Sequence, residues 1–338
     1  MQKRKDTVHS MKVSKKAGIT SFLVLAIVVA TIIIVHHNPG ADQQEEMWKK
    51  IISCSVILAS CIVFVKWYDK FTGLPVELWQ NRHLIWKLAK NDFKKRYAGS
   101  YLGAVWALAQ PVVTVGMYYV VFDRILGSAP PRLSNGTPVP YVLFLTAGLV
   151  PWFYFSEALN HGTNALLEYN YLVKKVVFKI SILPIIKIIA ATFIHAFFVC
   201  ILLVVAAIYG YYPTIYTIQI FYYSACLFIF VLALCYSTCA IVVFFRDLSQ
   251  IISIALQIGM WATPILWNIG DLDANWTRIV KLNPLVYIVN GYRSAIYEHE
   301  WFFWDFFSTM YFWIVTVVLF GIGALIFKRL KVHFADVM

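Results

Sequence analysis

The chain carries little charge for its length: 14% of its 338 residues are Asp, Glu, Lys or Arg, against about 25% in an ordinary soluble domain. Acidic residues are the scarcer kind, 17 against 29 basic ones. There is no loop of the form G-x-x-x-x-G-K-[ST], whose backbone amides and lysine cradle phosphates, so any nucleotide energy has to come from a partner. Alternating strands of about ten residues are missing too, which excludes a transmembrane barrel. Cys54, Cys61, Cys200, Cys226, Cys235 and Cys239 form no C-x-x-C pair and have no His at metal-ligand spacing. They read as small core hydrophobes. Ionisable residues within the apolar runs are few: Glu157 and Lys187 sit near helix ends and His195 stands alone. Such groups cost at least about 2.5–3.5 kcal/mol at mid-membrane and mark ion pathways. Their scarcity disfavours a proton- or sodium-coupled carrier, and the lone His reads as a hydrogen-bonded core residue.

What remains is apolar. Sixty per cent of the residues are hydrophobic, with several windows of 18 or more, so the chain is an all-α integral membrane protein. The net charge of +12 could suggest nucleic acid, but the basic residues gather in segments that a single topology places inside. Their functional remainder is attraction to anionic headgroups or a phosphate-bearing lipid.

Residues 1–18 are basic and are expected in the cytoplasm, and the run from Ile19 to Val35 is followed by HHNPGADQQEE rather than a signal-peptidase site. With Ile51 to Val65 it makes an N-terminal two-helix hairpin, residues 1–70. Further crossings are expected at 102–122, 140–157, 183–209, 218–244, 249–267 and 306–327, giving eight in all and both termini in the cytoplasm. Pro111, Pro151 and Pro264 predict kinks or breaks. Phe245-Arg246-Asp247 predicts a tight inside turn in which Arg246 and Asp247 are structural. Outside, Asn268 to Glu300 contains two short amphipathic pieces broken at Asn283-Pro284, re-entrant or flat on the outer face.

The stretch that organises the rest runs from Val76 to Pro111. Drawn as a helix, Leu78, Trp79, Ile85, Trp86, Ala89, Phe93 and Tyr97 fall on one arc of roughly 120°. Gln80, His83, Lys87, Lys90, Asn91 and Lys94 occupy much of the other side. Trp on the apolar face and Lys on the polar one is how a helix lies among headgroups. Residues 71–100 are therefore expected to form a cytoplasmic interfacial amphipathic helix, ending in Lys94, Lys95 and Arg96, ahead of a membrane domain over 101–338.

Aromatics are dense in or near the spans: Trp106, Tyr118, Tyr119, Trp152, Tyr154, Phe155, Trp261 and Trp267. Most such rings serve packing and interfacial anchoring. The functional alternative is a conduit for sugars, whose C–H faces stack on rings. Asp271 and Asp273 form a D-x-D on the outer side, the pattern of metal-assisted transfer from a lipid-linked donor. That makes a membrane glycan transferase a second reading.

Several pieces, in this order and spacing, resemble the permease subunits of type-2 ABC polysaccharide exporters. They are Lys95-Arg96-Tyr97 with Ser100-Tyr101-Leu102-Gly103, Trp106 and Pro111; Leu172-Val173-Lys174-Lys175 with Phe178 and Leu183-Pro184; Phe245-Arg246-Asp247; Pro264-Ile265-Leu266-Trp267; and Asn283-Pro284-Leu285 with Tyr292-Arg293. The resemblance covers about residues 71–338, and the N-terminal hairpin departs from it. Within the group, Tyr297-Glu298-His299-Glu300-Trp301 and Phe334-Ala335-Asp336 look most like the wall teichoic acid translocation permeases. The resemblance implies a six-span permease domain that forms a homodimer with two cytoplasmic ATPase subunits. It also implies export of a polymer on undecaprenyl diphosphate: wall teichoic acid, or another polysaccharide such as O-antigen or capsule. No catalytic or metal site and no cofactor is expected in this chain, with ATP and Mg bound by the partner. On this resemblance Lys94, Lys95 and Arg96 recognise the lipid diphosphate. Glu168, Asn170, Lys174 and Lys175 dock the ATPase, and Asn283, Pro284, Tyr292 and Arg293 belong to an outer gate.

Overall fold

The structure, a computed structural model, describes residues 15–35, 43–66, 68–96, 103, 105–127, 137–173 and 179–337. The described residues are mostly helical, with no strand among them. The chain divides into two compact units between Arg82 and His83.

The first unit holds α1 (Lys15–Val35), α2 (Gln43–Lys66) and α3 (Tyr68–Gln80). α1 and α2 are antiparallel: Phe22 stacks on Phe64 at 4.0 Å between ring centres, and Lys50 Nζ reaches the Ile34 carbonyl at 3.1 Å. Both are apolar, long enough to cross a membrane, and almost unburied within the protein. A helix hydrophobic all round and uncovered by protein is one that faces lipid.

The expected interfacial helix is broken. α3 ends at Gln80 and α4 (Arg82–Arg96) begins after Asn81. Both the backbone N–H and the side-chain amide of Asn81 donate to the Glu77 carbonyl, at 3.2 and 2.6 Å. The first is the helix's own bond, and the second, from the side chain, competes for the same carbonyl.

The second unit is built on α6 (Tyr141–Thr163) and α10 (Gln219–Val242), its most buried long helices, following α5 (Val105–Tyr118). The short α7 (Ala165–Glu168) and α8 (Asn170–Val173) lead towards α9 (Leu183–Ile208), which packs along α6. After α10 come α11 (Leu248–Ala262), α12 (Ala274–Lys281), α13 (Pro284–Arg293) and α14 (Phe306–Leu330), the last packed along α10. Small residues permit the closest approaches. A Cβ on Gly323 of α14 would stand 2.8 Å from the Ala233 carbonyl oxygen of α10, and one on Gly162 of α6 would collide with Cys235. With no hydrophobic drive between helices in lipid, such tight backbone contact is what holds spans together. Polar bonds add to it, such as Thr163 to Thr238 at 2.8 Å, each worth about 0.6 kcal/mol in a bilayer. His195 is the core residue expected, its Nε2 lying 2.9 Å from Tyr292 Oη and 3.1 Å from Ser224 Oγ.

Among the described residues six helical stretches are long and apolar enough to cross a membrane: 15–35, 46–66, 141–163, 180–208, 215–242 and 306–333. The expected crossings at 102–122 and 249–267 are shorter, apolar over Pro111–Phe122 and Leu248–Ala262, against about 20 residues for a full span. Proline explains the second only. Pro111 lies within α5, which passes into a wider turn over Tyr119–Ile125. Pro264 forces Thr263 into extended backbone (φ −92°, ψ 139°), ending α11. Pro151, by contrast, sits inside an uninterrupted α6.

Arg246 and Asp247 are exposed in the tight turn between α10 and α11. Beyond α11, the two amphipathic pieces separate at Asn283-Pro284: α12 stays on the surface, while α13 is buried in the bundle. Asn283 caps α13, accepting from the Leu285 N–H at 3.1 Å and donating to Thr263 Oγ1 at 2.9 Å.

Candidate functional site

Within the second unit α4 buries Ile85, Ala89 and Asp92, and both Trp86 and Phe93 meet Phe193 of α9 edge-on, at 5.3 and 5.6 Å. An acid on that buried stripe needs a partner. Asp92 Oδ1 accepts from Lys187 Nζ at 2.6 Å and from Tyr169 Oη at 2.5 Å. Lys187 also donates to Glu168 Oε2 at 2.6 Å. Burial alone would raise the Glu168 carboxyl, but His161, whose Nδ1 lies 3.9 Å from Oε1, and the Lys187 bond outweigh it and lower it to about 2. Tyr169 moves the other way: burial and its bond to Asp92 push the phenol well above its ordinary value.

Arg96, one turn beyond Asp92, donates to Glu157 Oε1 of α6 at 2.6 Å and lies 3.5 Å from Asp92 Oδ2. The result is a chain of opposite charges joining α4, α6, α7 and α9. Composition gave no sign of it. The available signal was positional, since Asp92 follows Ile85 and Ala89 at spacings that keep one helical face, with Arg96 four residues on.

Beside this network lies a cavity of about 640 Å3, lined by Arg96 and Glu157 at one side and by Trp106, Trp152 and Phe153 among its apolar walls. Asn160, His161, Ser253 and Gln257 add polar groups. α11 is held there by Ser249 donating to Asn164 Oδ1 at 2.7 Å and Ser253 to Asn160 Oδ1 at 3.4 Å. About half of the lining is polar and the rest is aromatic or aliphatic, a mixed wall that can meet both a polar headgroup and apolar faces, and a guanidinium suits a phosphate through its planar fork of donors.

The structure thus brings Arg96, Trp106 and Trp152 together. Lys94 and Lys95 are exposed on α4. Tyr118 Oη lies 3.9 Å from Met260 Sδ, and Tyr119 accepts from Arg124 at 3.0 Å. Tyr154 and Phe155 turn into the core, Tyr154 stacking on His195 at 4.5 Å and Phe155 on Phe230 at 6.0 Å. Trp261 is exposed, with Trp267 donating to its carbonyl at 2.9 Å. Glu168 belongs to the charge network, Asn170 is exposed at the start of α8, and Lys174 and Lys175 lie outside the described residues. Asp271 and Asp273 are both exposed. Among the described residues no three His, Cys, Asp or Glu come together as metal ligands.

At the other end of α6 a smaller cavity of about 240 Å3 contains Arg293, Asn283 and Pro284 in its lining. Tyr292 is fully buried beside it.

Residues 83–297 match the ABC-2 type transporter family. Among similar proteins is an O-antigen export system permease protein RfbA of Myxococcus xanthus, 30% identical over 262 residues that make up 77% of this chain and 97% of the relative. Two of the same name from Klebsiella pneumoniae are 25% and 26% identical, each covering 74% of this chain and 93% of the relative. The family match begins at His83, where the second compact unit begins, and spans the charge network, the larger cavity and part of the lining of the smaller one. This chain is a multi-pass membrane protein of the ABC-2 type transporter family, whose members are transmembrane subunits working with a separate ATPase.

Proposed function

We propose that the chain is the permease of an exporter for a polysaccharide carried on undecaprenyl diphosphate, working as a homodimer with two copies of a cytoplasmic ATPase that binds ATP and Mg. The observation that carries this reading is the cavity beside α4, where Arg96 meets the Trp106 and Trp152 rings. Arg96 offers charge-assisted bonds to the diphosphate, and the aromatic wall accepts the first sugars. Glu157 holds Arg96 in the meantime, so substrate arrival exchanges a carboxylate for a phosphate. Lys94 and Lys95, exposed one turn away, raise the local concentration of the anionic lipid. The segment from Glu168 to Lys175 docks the ATPase, and α12 and α13 form the outer gate.

The names of the relatives favour an O-antigen-type polymer. Wall teichoic acid is the second reading, carried by residues 297–301 and 334–336. The exposed Asp271 and Asp273 lend no support to a glycan transferase. The deciding experiment reconstitutes the chain with its ATPase and measures hydrolysis with lipid-linked O-polysaccharide or lipid-linked teichoic acid. Stimulation by the first alone fits the favoured polymer; stimulation by neither defeats the exporter reading.

A further inference from the structure

The cavity of about 240 Å3 lies along α6 from the Arg96 cavity. Phe144 lines it and Glu157 lines the other, thirteen residues apart and hence about 20 Å along a helix rising 1.5 Å per residue. Its central group is Arg293, 3% exposed. One guanidinium nitrogen donates to the Ile265 carbonyl at 3.1 Å, and the Phe144 ring covers one face at 3.7 Å. Nε has no partner, and no carboxylate among the described residues pairs with the guanidinium. A guanidinium does not lose its proton to escape this, and an unmet buried donor is costly.

The rest of the lining narrows what could meet it. Glu298, Glu300 and Asp305 border the same space, so a phosphate or other dense anion meets three carboxylates. A cation meets Arg293. An apolar ligand leaves Nε unmet. Sugar hydroxyls each donate one hydrogen bond and accept two, and so match both sets. Glu298 and Asp305 each spend one acceptor, on Ser294 Oγ at 2.6 Å and the Ser308 N–H at 3.3 Å, and keep others. Asn290 supplies a side-chain amide, while Tyr287, Trp301 and Tyr311 give aromatic wall. The volume falls below the about 300–1,000 Å3 of drug-sized sites, which suits a single ring rather than a chain.

We propose that this cavity is a subsite for one neutral sugar ring of the exported polymer, with Arg293 and Asn290 donating to its hydroxyls and Glu298 and Asp305 accepting from them. The subsite rests on the exporter reading for its purpose but not for its chemistry.

The test is saturation-transfer NMR on the full chain in lipid nanodiscs, using methyl glucopyranoside, mannopyranoside and galactopyranoside as probes, with phosphorus line widths of inorganic phosphate as the control. The expected result is transfer to the ring protons of at least one pyranoside, lowered at least fivefold in Glu298→Gln plus Asn290→Ala, and no phosphate broadening. Asp305→Asn, which can still cap α14, lowers the transfer as well, so the outcome does not hang on replacing the buried Arg293. Absence of transfer from all three sugars overturns the proposal, as does transfer unchanged by these variants, or phosphate binding without sugar binding. Hydrolysis by the assembled complex separates the two ideas. Stimulation by lipid-linked polymer without pyranoside binding removes the subsite alone. Pyranoside binding without stimulation keeps it and removes the exporter reading.

Discussion

Lys187 Nζ stands 2.6 Å from Asp92 Oδ1 and 2.6 Å from Glu168 Oε2, one ammonium shared by carboxylates of two different helices. The Asp92 bond is buried at both ends, with 5% and 9% of the two side chains exposed. Glu168 is open to solvent on its far side. The two halves of this bridge therefore respond differently to change.

Removing one partner of the buried half leaves a charge uncompensated, at about 3–5 kcal/mol. Lys187→Met and Asp92→Asn should each lower the melting temperature of the chain in nanodiscs. The double variant should recover much of the loss, because no lone charge is left in the buried half and the Glu168 carboxylate that loses Lys187 is 44% exposed. Additive losses would show that the two residues are stabilised by other contacts.

The Glu168 half has an acid limit. Its folded carboxyl is depressed from 4.5 to about 2. Its contribution is therefore complete above about pH 4.5 and disappears as the pH falls towards 2. Wild type should melt above Glu168→Gln by a constant margin between about pH 7 and 5, and the margin should shrink below about 4.5. Because the side chain is 44% exposed, the margin is small. A margin that grows on acidification would contradict the pairing.

Arg96 separates specific recognition from general attraction. With Arg96→Ala, the assembled complex should lose stimulation by the diphosphate-linked polymer while keeping basal hydrolysis. Arg96→Lys should recover part of it, since a lysine cannot form the two-pronged contact. Glu157→Gln frees the guanidinium and should lower the polymer concentration for half-stimulation several-fold. Small, equal, salt-sensitive losses at Lys87, Lys90, Lys94, Lys95 and Arg96 would mean that the helix is only a basic flank.

The contact of α10 with α14 makes a steric prediction. A Cβ at Gly323 meets backbone, not a side chain that can swing away. Gly323→Ala should cost about 1–3 kcal/mol by overpacking, and Gly323→Leu should prevent the two helices from closing. Melting and protease sensitivity check this. An unaffected Gly323→Leu protein would show that α14 packs elsewhere on α10.

The all-α fold was readable because long apolar runs admit few alternatives in lipid, and Pro264 marked where α11 stops. The length of α5 was not readable, because the wide turn after Tyr118 follows in a run that looks continuous. Arg96 stood out in the sequence, but Glu157, its partner 61 positions away, did not. Lys187 looked like a residue at a helix end because nothing local announces a pairing across 95 positions. The aromatics show the same limit. Trp152 lines the cavity and Phe155, three residues on, packs on Phe230, a difference set by neighbouring helices rather than by either residue.

The first unit contributes α1 and α2, two membrane-length helices joined head to tail. Crossings by both would be an even number and would return the chain to the side from which it started. The orientation of α4, the Arg96 cavity and every later helix is then the same with the pair as without it. An odd helix at the same place would turn the transporter inside out.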